Sequence, residues 1–298
     1  MEIQQLRYMV ALAQEKHFLR ASESVHISQP TLSQQIQKLE KELGVLLFER
    51  SPRQVRLTPE GERFLPYALS VLDTLEKAGS DMKQGVGELA GRVILGAIPT
   101  MGPYIMPHLM KQLRKRAPKI TLELHDLTTS ILIKDLKEGK IQMGLLSTPI
   151  EGVGVASRVI GREAFLLAVS SDHELAHKKK VSLREISNQN MLILQEGHCF
   201  RKQALDYCKI TEHSSRVIFQ GSSLTSVMRL TAAGEGVTMV PQMAAISKEN
   251  PGLNFLRMVD PVPTREVGIV WRTSASLNKA QTFLMELIEE GVKKIIGN

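Results

Sequence analysis

Two residues in this chain can do redox chemistry, and both lie in one short stretch. Cys199 and Cys208 are the only cysteines among 298 residues, and the segment from Gly197 to Cys208 reads GHCFRKQALDYC. His198 precedes Cys199, Arg201 and Lys202 follow it, and the site falls where a strand-like apolar run, Met191 to Leu194, gives way to a helix-like pattern. Positive neighbours and a helix N-terminus both favour the thiolate, which is the nucleophilic form of cysteine. The competing reading is that each cysteine is a small buried hydrophobe. Structural zinc is disfavoured, because it needs four ligands in closely spaced pairs and there is no second cysteine pair. As one continuous helix, residues 199 to 208 would hold the two Cα atoms roughly 13 Å apart at about 1.5 Å per residue. A disulfide requires about 4.4 to 6.8 Å, so joining these cysteines demands that the segment unwind.

The elements that must position this stretch follow a strand, loop, helix rhythm beyond Gly91. Strands are expected at Arg92 to Ile98, Ile120 to His125, Met143 to Ser147, Ala164 to Ser170, Met191 to Leu194, Arg216 to Gln220, Val237 to Val240 and Val267 to Arg272. Helices are expected at Pro103 to Ala117, Ser130 to Glu138, after Cys199, at Ser223 to Ala233 and from Leu277 onward. Alternation of this kind argues for α/β structure with parallel strands. In open α/β sheets ligands bind beyond the carboxyl ends of strands, where helix N-termini aim N–H groups inward. Thr100, Thr128, Thr129, His198, Cys199, Ser222 and Ser223 all fall at such junctions. Each hydroxyl taken singly is an ordinary helix cap; together they suit a small polar ligand. His173 and His177 read as part of a solvated loop beside Lys178 to Lys180, not as a metal site.

The first 65 residues carry a different pattern. Helical periodicity covers Ile3 to Gln14 and Leu19 to Val25, followed by a tight turn at His26 to Ser28. A helix from Gln29 to Leu43 then buries Leu32, Ile36, Leu39 and Leu43, with Ser28 as N-cap and Pro30 in its first turn. Its other face presents Gln29, Thr31, Ser33, Gln34, Gln35 and Lys38, side chains that hydrogen-bond to base edges. This is a helix-turn-helix arrangement. In FERSPRQVRLTPEG, Arg50, Arg53 and Arg56 form a short basic wing suited to phosphates. From Thr58 a long helix runs to about Gln84, and Phe64, Ala68, Val71, Leu75, Ala78 and Met82 repeat at alternating steps of four and three, a coiled-coil seam. Gly85, Gly87 and Gly91 then mark a hinge.

FLRASESVHISQPTLSQQIQKLEKELGVLLFER followed by VRLTPEG resembles the winged helix-turn-helix of LysR-type transcriptional regulators, and the resemblance extends over the whole chain. It implies a DNA-binding domain at 1–65, a linker helix and hinge at 66–90, and a regulatory domain at 91–298. That last part would comprise two α/β subdomains like those of periplasmic binding proteins, one from 91–163 plus 268–298 and the other from 164–267. It also implies that Gln29, Pro30, Thr31, Ser33, Gln34 and Lys38 read a double-stranded operator, and that linker helices pair antiparallel.

Within that family, GHCFRKQALDYC, IPTMGPY and HDLTTS resemble the peroxide-sensing members. The resemblance implies that Cys199 reacts with hydrogen peroxide and Cys208 resolves it as a disulfide, with Thr100, Thr129, His198 and Arg265 positioning the oxidant. It further implies control of antioxidant genes, a homo-oligomer built as a dimer of dimers, contact with RNA polymerase, a thiol reductant for recycling, no bound cofactor or metal, and no enzymatic turnover. The run DYCKITEH around Cys208 departs from familiar members. Two rival readings stay open: a metabolite-responsive regulator with incidental cysteines, and a thiol peroxidase, which would turn over continuously with a reductant.

Composition sets the outer bounds. No apolar run nears 18 residues and no signal-peptide pattern opens the chain, so a cytoplasmic protein without membrane attachment is expected. The pI of about 9.4 suggests nucleic acid, yet residues 1–90 carry 11 Lys and Arg against 12 Asp and Glu. DNA contact therefore depends on local placement of basic and polar groups.

Overall fold

The computed structural model describes residues 1–50, 55–83, 89–150, 154–187, 189–195, 216–246, 250–259 and 261–297. Cys199, Cys208 and His198 lie outside the described residues, as does Arg53.

Helices α1 (Ile3–Glu15), α2 (Phe18–Ser24) and α3 (Gln29–Leu43) pack around one small core. It contains Met9, Leu12, Leu32, Ile36 and Leu39, all fully buried. The Ser28 hydroxyl accepts the Thr31 N–H at 3.3 Å, and Gly44, with φ of 71°, closes α3 in the left-handed region that favours glycine. Strands β1 (Phe48–Arg50) and β2 (Val55–Leu57) pair antiparallel as the wing. Helix α4 (Pro59–Lys83) follows. Thr58 starts it, donating its hydroxyl to the Leu46 carbonyl at 2.6 Å and accepting the Gly61 N–H at 3.0 Å.

The seam expected along α4 divides in two. Ala68 is buried in the first core and Phe64 packs against it. Val71, Leu75 and Met82 are exposed large hydrophobics, joined on the same face by Tyr67.

In the remainder, β3 (Ala90–Ala97), β4 (Lys119–Asp126) and β5 (Met143–Thr148) are parallel, joined through α5 (Gly102–Arg116) and α6 (Thr129–Lys137). The other strands are β6 (Val155–Ser170), β7 (Lys180–Ser182), β8 (Asn190–Leu194), β9 (Arg216–Gly221), β10 (Thr238–Pro241), β11 (Leu253–Val259) and β12 (Thr264–Arg272). The other helices are α7 (Leu183–Ile186), α8 (Leu224–Ala232), α9 (Gln242–Ile246) and α10 (Lys279–Ile296).

The expectation of parallel strands holds for part of the structure. β8 and β9 are parallel, but β12 runs antiparallel to both β5 and β6, and β10 and β11 run antiparallel to β6. The reason is the 16-residue β6, which buries Ile160 in one core and Phe165, Leu167 and Val169 in another. β6 and β12 thus tie the two cores together, and positions 163/164 and 267/268 both fall within these strands.

Candidate functional site

Where β6 and β12 pass from one core to the other, Glu163 and Arg265 are cross-strand partners. Register alone brings together two residues far apart in sequence. The Arg265 Nε donates to Glu163 Oε1 at 2.8 Å, and both side chains are fully shielded from solvent. The other carboxylate oxygen accepts the Met243 N–H at 3.0 Å. Arg265 also donates from Nη1 to the Thr100 hydroxyl at 2.8 Å and from Nη2 to the Thr100 carbonyl at 2.9 Å, while its guanidinium lies 5.8 Å from the Phe165 ring centre. A buried cation survives only when paired and hydrogen-bonded, and this one is. Because Arg265 donates into the Thr100 oxygen, the Thr100 proton is left to point elsewhere. Burial pushes the nearby Tyr104 phenol above its ordinary pKa, with Arg265 pulling it down and Glu163 pushing it up.

Thr100 and Thr129 are brought to the same edge by strand register. Ala97 and Asp126 are partners at the ends of parallel strands β3 and β4, and each threonine lies three residues farther on. Thr129 opens α6, and its hydroxyl is buried without a hydrogen-bond partner among the described residues. Such a group normally costs about 1–3 kcal/mol, so an orphan hydroxyl at the carboxyl edge of the sheet marks a place where a ligand has something to satisfy. The N-cap position before it, Thr128, makes no capping bond. Ser223, by contrast, is an ordinary cap: its hydroxyl accepts the Ser226 N–H at 3.2 Å. β8 ends at Leu194, paired with Gly221 of β9, and Cys199 follows five residues later outside the described residues.

Sequence reasoning missed Glu163, which lacks any motif, and also Glu40. The Glu40 carboxylate is buried and accepts the N–H groups of Leu47 and Phe48 at 2.9 and 3.2 Å, fixing the wing against α3. A carboxylate amid the apolar positions Leu39 and Leu43 was the available signal. On α3, Gln29, Pro30, Thr31, Gln34 and Lys38 are exposed and Ser33 is half-buried. Arg56 is exposed on β2, and Arg50 ends β1.

The first core also touches the α/β part. Lys16 of α1 pairs with Glu138 at 2.9 Å, Gln14 donates to the Glu138 carbonyl at 3.1 Å, and Asp73 of α4 pairs with Arg272 at 2.7 Å. Arg272 in turn donates to the Leu136 carbonyl at 3.0 Å. Burial alone would raise the Glu138 pKa, but hydrogen bonds from Lys16 and Lys140 outweigh it and hold the carboxyl below its ordinary value. Gly139 has φ of +74°, the left-handed region that favours glycine, and a Cβ there would fall 2.4 Å from the Leu69 Cδ2 methyl. Helix α6 therefore starts at the orphan Thr129 hydroxyl and ends on α1 and α4.

Residues 3–62 match the bacterial regulatory helix-turn-helix of the lysR family, and residues 87–293 match the LysR substrate binding domain. The chain belongs to the LysR family. It is a DNA-binding transcription regulator and not an enzyme. Among LysR-family relatives, the hydrogen peroxide-inducible genes activator of Haemophilus influenzae is 35% identical over 298 residues, covering 99% of each chain. The dual regulator OxyR of Escherichia coli K12 is 36% identical over 290 residues, 97% of this chain and 95% of that one. The full-length structure of an OxyR point variant from Pseudomonas aeruginosa superimposes with a TM-score of 0.82 at 36% identity, covering 98% of this chain and 95% of the other. This LysR-family chain thus closely resembles OxyR from end to end. Among its described residues no helix is long and apolar enough to cross a membrane.

Proposed function

We propose that the protein is a hydrogen-peroxide-sensing regulator that switches through a Cys199–Cys208 disulfide and controls antioxidant genes. The observation that carries this reading is the pair of threonine hydroxyls at one sheet edge: Thr100 oriented by Arg265, and Thr129 without a partner among the described residues. Full-length similarity to OxyR supports it.

In the proposed reaction the Cys199 thiolate attacks one peroxide oxygen and the O–O bond breaks. The sulfur becomes a sulfenic acid, and the other oxygen leaves as hydroxide, stabilised by the hydrogen bond of a hydroxyl donor at Thr100 or Thr129 and protonated to water. The Cys208 thiol then condenses with the sulfenic acid, releasing water and forming the disulfide. A thiol reductant returns two electrons to restore both thiols. His198 beside the sulfur favours the thiolate. Arg265 acts through Thr100, since its Nε, Nη1 and Nη2 each already donate to Glu163 or Thr100.

The same reading divides the chain at 1–65, 66–90 and 91–298, with subdomains 91–163 plus 268–298 and 164–267. Remodelling of residues 199 to 208 passes through α6 to α1 and α4 and changes the spacing of recognition helices in an oligomer, a dimer of dimers joined through α4. Gln29, Pro30, Thr31, Ser33, Gln34 and Lys38 read the operator while Arg50, Arg53 and Arg56 hold phosphates, placing RNA polymerase beside the bound regulator in the cytoplasm. The test is thiol counting before and after one equivalent of peroxide. Loss of both thiols per chain is expected; retention of both overturns the reading.

A further inference from the structure

The positive charge of the chain does not lie on its helix-turn-helix. Residues 1–90 carry one more acid than base, whereas residues 91–298 carry 27 Lys and Arg against 19 Asp and Glu. No Asp or Glu occurs from 89 to 122, a stretch that holds Arg92, Lys111, Arg114, Lys115, Arg116 and Lys119. The fold gathers most of these cations at one end of α5. That helix finishes with Arg114, Lys115 and Arg116, and Lys119 opens β4 opposite Ala90, the first residue of β3. Arg116 is engaged, pairing with Glu290 and lying 5.3 Å from the Phe283 ring centre. Lys111, Arg114 and Lys115 are exposed. Arg114 donates to the Met110 carbonyl of its own helix at 3.4 Å, and none of the three meets a carboxylate among the described residues.

Cations in a last turn complement the helix dipole, which accounts for their sign but not for their grouping. Lys111 stands three and four residues before Arg114 and Lys115, so like charges share one helix face, an arrangement that weakens a helix unless an anion answers it. This end of α5 lies at the amino ends of β3 and β4, where the chain arrives from α4. The DNA-binding part docks on the same edge of the sheet, through Lys16 with Glu138 and through Lys77 with the Ser276 hydroxyl, each at 2.9 Å. We infer that Lys111, Arg114 and Lys115 form a second DNA contact, taking backbone phosphates of the duplex that flanks the site held by α3. Cations along one helix face suit a row of phosphates and carry no base information. The α/β part thus adds to the strength and salt dependence of binding, not to base choice.

The contact is independent of any redox role for the cysteines. Fluorescence anisotropy of the full-length chain on random-sequence duplexes of about 20 and about 80 base pairs, over a salt series, tests it. The triple variant Lys111→Gln, Arg114→Gln, Lys115→Gln is expected to bind the long duplex more weakly, with a salt slope lower by about two or more, and to bind the short duplex nearly as the wild type does. Each single substitution is expected to lower the long-duplex slope by about one. A control removes equal charge at the opposite edge of the sheet, where Lys180 of β7 is the partner of Arg257 of β11. Lys179→Gln, Lys180→Gln, Arg257→Gln is expected to leave the slope unchanged. An unchanged long-duplex slope in the α5 variant, or an equal loss in the two triple variants, would overturn the assignment. So would weakened binding of polyglutamate with DNA binding intact, which would give the patch to an acidic protein segment.

Discussion

Arg265 holds Thr100 by two atoms at once, donating to its hydroxyl at 2.8 Å and to its carbonyl at 2.9 Å. The threonine is thereby fixed in position and in hydrogen-bond polarity, and the fixing is anchored by Glu163 across the β6–β12 crossover. A substitution at Glu163 is expected to act at a distance. Glu163→Gln leaves a buried guanidinium without its countercharge, at a cost of about 3–5 kcal/mol by urea denaturation. The doubly apolar Glu163→Leu, Arg265→Met protein is expected to regain much of that stability yet still react slowly with peroxide, since Thr100 is no longer oriented. Equal peroxide rates in the double variant and the wild type would show that orientation of Thr100 is irrelevant.

Thr129→Val removes a hydroxyl that has no partner among the described residues to lose. Stability is expected to stay within about 1 kcal/mol of the wild type or to rise, because an unsatisfied buried oxygen is exchanged for a methyl of similar shape. The rate of thiol loss on peroxide addition is expected to fall. A thermal melt and a stopped-flow thiol assay separate the two effects, and a destabilised variant with an unchanged rate would count against a ligand role for Thr129.

How much of this was legible beforehand depended on whether a residue's role was local. Helix α3 could be read to its boundaries because Leu32, Ile36 and Leu39 recur at helical spacing behind a capping Ser28 and a first-turn Pro30. The first half of β6 could not, since Ser157, Arg158 and Arg162 are exposed charged or polar positions that hide the strand period. β7, α7, α9 and β11 escaped for the related reason that short, edge or irregular pieces carry weak periodicity. The Glu163–Arg265 pair depends on the register of two crossover strands, and no local pattern encodes register between distant segments. Thr100 and Thr129 were visible as strand-end hydroxyls, but only their surroundings distinguish them from Ser223, which merely caps α8.

On the DNA side, Gln34 is exposed on α3. Gln34→Ala is expected to reduce discrimination between operator and random DNA by about 1–3 kcal/mol. Arg53→Ala is expected to weaken all DNA similarly and to reduce the salt slope of binding by about one. Fluorescence anisotropy across a salt series reads both quantities. An unchanged operator-to-random ratio in Gln34→Ala would remove it from base readout.

Assembly through α4 predicts a contrast between neighbouring positions. Val71 is 42% exposed in the single chain while Ala68 is 1% exposed. Val71→Asp should leave the monomer folded and dissociate the oligomer, because only the partnered state buries the new charge. Ala68→Asp should unfold the first core itself. Sedimentation velocity with circular dichroism distinguishes these outcomes, and a Val71→Asp protein that sediments as the wild type would take α4 out of the interface.

The most direct measurement pairs an operator footprint with peptide mass mapping of residues 197 to 208, before and after peroxide, in the wild type, Cys199→Ser and Cys208→Ser. The wild type is expected to gain a Cys199–Cys208 linkage and to change its footprint. Cys208→Ser should stop at a sulfenic acid that dimedone traps, and Cys199→Ser should bind the operator with a footprint that peroxide leaves unaltered. A Cys199→Ser protein whose footprint shifts with peroxide as the wild type's does would contradict the account.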